Sequence, residues 1–109
     1  MNIRVYERFQ PQLKWRAELI VSKHGSINAI VRRMSLSGAY LETEGALNQG
    51  AKIILLVKAQ IKEKSHFLKV CAEVKGVSVL ANCNGQGVWL KYVALSAEQR
   101  KQIGQMVEA

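Results

Sequence analysis

Residues 27–43 read INAIVRRMSLSGAYLET. Ile27 to Met34 is extended and rich in β-branched side chains, Gly38 breaks the run, and Ala39 to Thr43 resumes as a short apolar segment. The order is strand, turn, strand. Ser35 and Gly38 suit such a turn on their own chemistry, because a Ser hydroxyl bonds nearby backbone and Gly accepts any φ.

The flanking sequence continues in the same style. Upstream, Trp15, Ala17, Leu19 and Val21 alternate with Lys14, Arg16, Glu18 and Ser22, the period of a half-buried strand. His24-Gly25-Ser26 then supplies turn chemistry, so a hairpin is predicted. Downstream, Glu44 to Gly50 reads as a polar loop with two glycines. The uninterrupted run Ile53 to Val57 reads as a strand deep in the sheet, from its β-branched content. Lys58 to Ser65 reads as a charged, solvated link, and Phe67 to Leu80 as a long strand with Val70, Ala72 and Val74 on one face and Cys71, Glu73 and Lys75 on the other. Asn82 to Gly87 makes a turn, and Val88, Leu90 and Tyr92 carry a final strand inward.

Ser96 opens a different pattern. Gln99 stands three residues on, as in a capping box, and Glu98 suits the positive end of a helix dipole. Ile103, Met106 and Val107 form one apolar stripe, so this helix is expected to dock on the sheet, with Gly104 weakening it somewhat. Tyr40 and Phe67 read as core packing. About six strands and one helix, with no internal repeat or linker, are closed most simply as a small barrel or a curled antiparallel sheet, which removes exposed strand edges.

Composition narrows the function classes. The chain has 109 residues, room for one core, with 16 basic against 8 acidic side chains and a formal charge of +8. Such a field suits phosphate ligands, nucleic acids and acidic protein surfaces alike. Every acidic residue is Glu; with no Asp, Ser/His/Asp triads and paired-Asp acid sites are excluded, which counts against an enzyme. His24, His66, Cys71 and Cys83 show no metal-ligand spacing, and the two cysteines read as free thiols, so no metal or cofactor is expected. MNIRVYERFQPQ lacks the apolar run of a signal peptide, and no stretch reaches the length of a transmembrane segment, so a cytoplasmic protein is expected.

The stretch Val31 to Leu41 resembles the second signature of PilZ domains, in which Asp or Asn, any residue, Ser, any two residues and Gly precede a short apolar strand. Ser35 and Gly38 fit, while Arg33 occupies the Asp or Asn position. Gly87 to Tyr92 and Leu95 to Arg100 are similar to the family's last strand and capped helix. The resemblance implies a mainly β fold, a six-stranded antiparallel barrel with a C-terminal α-helix over residues 14–109, preceded by a basic arm at 1–13.

The first signature of the family is Arg, three residues, then Arg, just before the first strand. Two registers compete for it. Arg4 to Arg8 matches literally; Arg8 to Gln12 has the better spacing to the strand near Trp15 but ends in Gln. The second is favoured, with Arg4 as a substitute.

The resemblance implies binding of cyclic di-GMP, a dianionic dinucleotide. Guanidinium forks suit both its phosphates and the O6/N7 edge of guanine. The implied ligand-binding residues are Arg4, Arg8, Gln12, Arg33, Ser35 and Gly38, with Trp89, expected on the outer face, placed to stack on a purine. Residues 1–33 carry seven basic and two acidic side chains, +5 of the total +8, so charge gathers at this end. Arg33 has five donors and no acceptor and cannot replace a carboxylate that receives guanine protons. A mismatch of that kind weakens binding by roughly 1–3 kcal/mol, or about one to two decades.

Two function classes follow. One is a small bacterial signalling receptor that binds cyclic di-GMP, orders its arm and relays the signal to a protein partner. The alternative is a PilZ-like adaptor that binds no nucleotide and acts by protein contact in motility, pilus or biofilm regulation. Direct binding of DNA or RNA is not expected, because no strand alternates aromatic and basic residues.

Overall fold

The computed structural model describes residues 13–21, 25–80 and 85–107. Six strands follow in order: β1 (Trp15–Ile20), β2 (Ser26–Met34), β3 (Gly38–Thr43), β4 (Lys52–Ile61), β5 (Lys64–Val79) and β6 (Gln86–Val93). They close into a barrel in the order β1-β2-β3-β6-β5-β4, every neighbour antiparallel. The helix α1 (Ala97–Val107) comes after β6.

Alternation does the sorting. Ala17 and Leu19 of β1, Ala29 and Val31 of β2, and Ala39 and Leu41 of β3 point inward and are buried. So are the alternate residues Leu68 to Val74 of β5, and Val88, Leu90 and Tyr92 of β6, the inward sets expected from their period. Alanines set among leucines and valines let large side chains from facing strands share a narrow interior. Ile103 and Met106 of α1 join this core, whereas Val107 is 38% exposed and drops out of the stripe. Ser96 Oγ accepts the Gln99 N–H at 3.1 Å and Gln99 Oε1 accepts the Ser96 N–H at 2.8 Å, the reciprocal cap read from the sequence.

Three further expectations, on strand and turn limits and burial, fail. The run Ile53 to Val57 is not buried throughout: Ile53, Leu55 and Val57 face the core, while Ile54 and Leu56 lie half-buried on the outside. Lys58 to Ser65 is no loop. β4 continues through it with Ala59 inward, and the only break is the two-residue turn Lys62–Glu63. Both turn residues have positive φ, 49° and 68°, the left-handed geometry that a tight hairpin demands and that Asn-Gly would ordinarily signal. Finally, Gln86 and Gly87, expected in a turn, belong to β6; His24 and residues 82–84 lie outside the described residues.

β5 is longer than its partner. It pairs with β4 from Lys64 onward but with β6 only from Cys71, which leaves edge carbonyls at Phe67 and Lys69. The helix fills the gap: Gln99 Nε2 donates to Lys69 O at 2.8 Å and Gln102 Nε2 to Phe67 O at 2.5 Å. Two side-chain amides thus stand in for a missing strand. Among the described residues no helix is long and apolar enough to cross a membrane.

Holding two non-glycine residues in left-handed geometry costs about 1–2 kcal/mol each. We expect Lys62→Asn with Glu63→Gly to stabilise the barrel by about 1 kcal/mol, read as a thermal midpoint several degrees higher. The Tyr92 hydroxyl is buried with no hydrogen-bond partner among the described residues, and desolvation raises its phenol above the usual range. The unfolded chain ionises near pH 10 while the folded protein keeps the proton, so stability falls as pH rises beyond about 10. Urea midpoints between pH 9 and 11 should decline in the native protein and decline less in Tyr92→Phe.

Candidate functional site

The outer face of β2, β3 and β6 gathers the motif residues. A bulge between Val31 and Arg33 lets β2 carry one residue more than β3, which places Arg33 opposite Tyr40. Tyr40 in turn faces Trp89 on β6, and Trp89 faces Gly76 on β5. The result is a cross-strand row on the outside: a guanidinium-bearing residue, a phenol, an indole and a bare glycine.

The two rings pack, with centroids 4.6 Å apart and planes inclined at 43°. Trp89 stays 48% exposed, on the outer face where its alternation with Val88 and Leu90 put it. Tyr40 was expected in the core and lies instead half-buried on the surface, its hydroxyl close over Gly87, where any Cβ would collide with it. Phe67 leaves the core as well, on the outer face of β5 and 54% exposed.

Ser35 and Gly38 form the turn that ends β2. Ser35 N donates to Gly38 O at 2.9 Å, and Ser35 Oγ accepts the N–H groups of Ser37 and Gly38, each at 3.2 Å. The hydroxyl proton can point to Gly38 O or Ser37 Oγ. Ser37 O receives the Tyr92 N–H at 3.0 Å, which pins the turn to β6. A Cβ on Gly38 would overlap the Leu90 carbonyl, so glycine there is demanded by the approach of β3 to β6, whatever else it serves.

Arg32, within the bulge, also anchors the chain just ahead of β1. Arg32 Nε donates to Glu42 Oε1 at 2.8 Å and its Nη1 to Leu13 O at 3.3 Å, while Leu13 N donates to Arg32 O at 2.9 Å. The chain entering β1 is therefore fixed one residue from Arg33. Sequence reading missed Arg32 and Tyr40, since only the bulge decides which of two adjacent arginines joins the row. Arg4, Arg8 and Gln12 lie outside the described residues.

A shallow cavity of about 640 Å³ lies over β1 to β3 and reaches Leu80 and Gly85 beside the ends of β5 and β6, with Arg16, Asn28, Ile30, Glu42 and Glu44 in its lining. It contains none of Arg33, Ser35, Gly38 or Trp89. Two carboxylates against one guanidinium make it a poor seat for a dianion. The Arg33 to Trp89 row joins a cation to exposed aromatic area, with Lys91 next along β6, and can hold a phosphate and a stacked ring together.

The family pattern described as "PilZ domain" matches residues 2–109. No curated protein sequence matches the chain. Among solved structures, the Bacillus subtilis inhibitor of motility (MotI/DgrA) is similar at a TM-score of 0.75 and 12% identity, over 89% of this chain and 46% of that one. The PilZ domain of Escherichia coli YcgR, solved with c-di-GMP, is similar at 0.71 and 12% identity, over 92% of this chain and 86% of that one. The Borreliella burgdorferi PlzA protein in complex with c-di-GMP is similar at 0.57 and 11% identity, over 99% of this chain and 48% of that one. This chain thus spans about half the length of the MotI/DgrA and PlzA chains.

Because the steric demand at Gly38 comes from backbone, Gly38→Ala should destabilise the free protein by about 1–3 kcal/mol, the usual cost of overpacking. Chemical denaturation without ligand checks this. An unchanged midpoint would mean that Gly38 and the Leu90 carbonyl leave room between β3 and β6 for a methyl group.

Proposed function

Since the chain belongs to the PilZ domain family, we propose that it is a cyclic di-GMP receptor, not an enzyme, that relays the signal through contacts with a protein partner. The observation carrying this reading is the outer row of Arg33, Tyr40 and Trp89 beside the Ser35 to Gly38 turn. A ribose-phosphate ring with two purines needs cations for its charge and flat surface for its bases, and the row offers both within one face. The cyclic di-GMP in the YcgR and PlzA complexes supports the ligand class.

In this reading residues 1–13 are a basic arm that folds over the ligand, with Arg8 and Arg4 on phosphate or the guanine edge and Gln12 beside them. Leu13, held by Arg32, sets where that arm leaves the barrel at 14–109. Ser35 offers its hydroxyl. Trp89 stacks. Arg33 contributes charge where the family pattern has an acceptor, so it binds phosphate or stacks and leaves guanine's N–H groups without their usual carboxylate. We propose that the protein works in the cytoplasm, its partner being protein and not DNA or RNA.

A second reading has two specific observations in its favour. The donor-only Arg33 and the internal use of the Ser35 hydroxyl fit an adaptor that binds no nucleotide and acts by protein contact in motility, pilus or biofilm regulation.

Isothermal titration with cyclic di-GMP at physiological salt separates the two. Saturable binding is expected, lost in Arg8→Ala and weakened about tenfold in Trp89→Ala, consistent with about 1–3 kcal/mol for one stacked base. Arg33→Asp should tighten binding if an acceptor is what the site lacks. Absence of heat and of chemical-shift change at millimolar ligand would decide for the adaptor.

A further inference from the structure

In the ring of strands, β4 stands three places from β3, so the outer faces of β1, of β4 and of the part of β5 ahead of Cys71 that does not pair with β6 look away from the Arg33 to Trp89 row. On that far side Phe67 is 54% exposed beside a hollow of about 380 Å³. Leu56 lines the hollow and, like its neighbour Ile54, is only half-buried. Two cations, Arg16 and Lys58, stand in its wall, and Lys69 lies just outside it. Arg16 stands directly opposite Lys58, Lys58 opposite Phe67, and Leu56 opposite Lys69.

That arrangement is unfavourable for the protein alone. Like charges facing each other across an antiparallel pair destabilise a sheet, and neither Arg16 nor Lys58 has an ion-pair partner among the described residues. Glu18 is the single acid among the described residues lining the hollow. An exposed ring over an apolar recess, rimmed by unpaired cations, is complementary to a ligand that is apolar at its centre and acidic around it.

We propose that this hollow docks an acidic amphipathic segment of a partner protein, with one apolar side chain entering between Phe67 and Leu56 and carboxylates meeting Arg16, Lys58 and Lys69. A second copy of the chain would bring the same cations against themselves. One exposed ring gives a bilayer little apolar area to take up, and a nucleic acid strand would find one aromatic ring where stacking needs a series. The surface gives the protein contact of the receptor reading a location, yet it holds whether or not a nucleotide binds at the opposite face.

The test is a titration of the isotope-labelled full chain with a synthetic helical peptide of about 16 residues, Leu at i, i+3, i+4 and i+7 and Glu at most other positions. Backbone shifts should cluster at Arg16, Leu56, Lys58, Phe67 and Lys69, with a dissociation constant below about 1 mM that rises with salt. Phe67→Ser and Lys58→Glu should each weaken binding at least tenfold, and Arg33→Ala should leave it unchanged. Lys69→Glu is the substitute should either variant lose its thermal transition. Equal binding of a peptide with Lys in place of Glu, shifts confined to other faces, or no binding at millimolar peptide would overturn the proposal. So would stronger perturbation of the same residues by oligothymidylate or by phosphatidylglycerol vesicles.

Discussion

Leu19 and Leu55 face each other, fully buried, across the seam where β1 meets β4. This is the join that turns a curled sheet into a closed one, and five pairs from Arg16–Lys58 to Ile20–Ile54 make it. It is also a contact between segments far apart in sequence, so its loop-closure entropy is offset only once the inward leucines, valines and alanines have packed. Everything on the outer surface inherits its position from that closure. The motif row and the cationic hollow lie on opposite sides because β3 and β4 are opposite staves of one barrel.

Much of this architecture was legible in the residues, because a strand with one buried face writes its period into the sequence. Alternation, interrupted in β1 only by Ile20, marks β1 and β6, and a cap in which Ser96 and Gln99 satisfy each other marks α1. The failures share a cause. Where the outer face is also apolar, as at Ile54 and Leu56, the period vanishes and the strand looks uniformly buried. Where the outer face is charged and the turn lacks glycine, as from Lys58 to Ser65, a hairpin looks like a link. Tyr40 and Phe67 read as core packing, although each stands one residue out of phase with buried Leu41 and Leu68, which places them outside.

The site was legible in part. Ser35 and Gly38 stood out by spacing, and Trp89 by lying out of phase with two core residues. What the sequence could not convey is the bulge that inserts Arg32 into β2, and with it the division of labour between two adjacent arginines. Arg32 binds Glu42 and the Leu13 carbonyl, a structural task, while Arg33 joins the aromatic row. The structure also gives Gly38 a second reason to be glycine, the backbone of β6, so its place in the signature is not by itself a mark of ligand contact.

The two glutamine amides that cover the overhang of β5 bear on how the protein is made. As the polypeptide emerges during synthesis, β5 and β6 can pair before α1 has appeared, and throughout that interval the carbonyls of Phe67 and Lys69 form an uncovered strand edge. Exposed edges recruit other strands, so nascent chains crowded on one message would be most prone to associate at this point. Gln99 and Gln102 sit in the opening turns of the helix, where they reach that edge as early as the chain order allows.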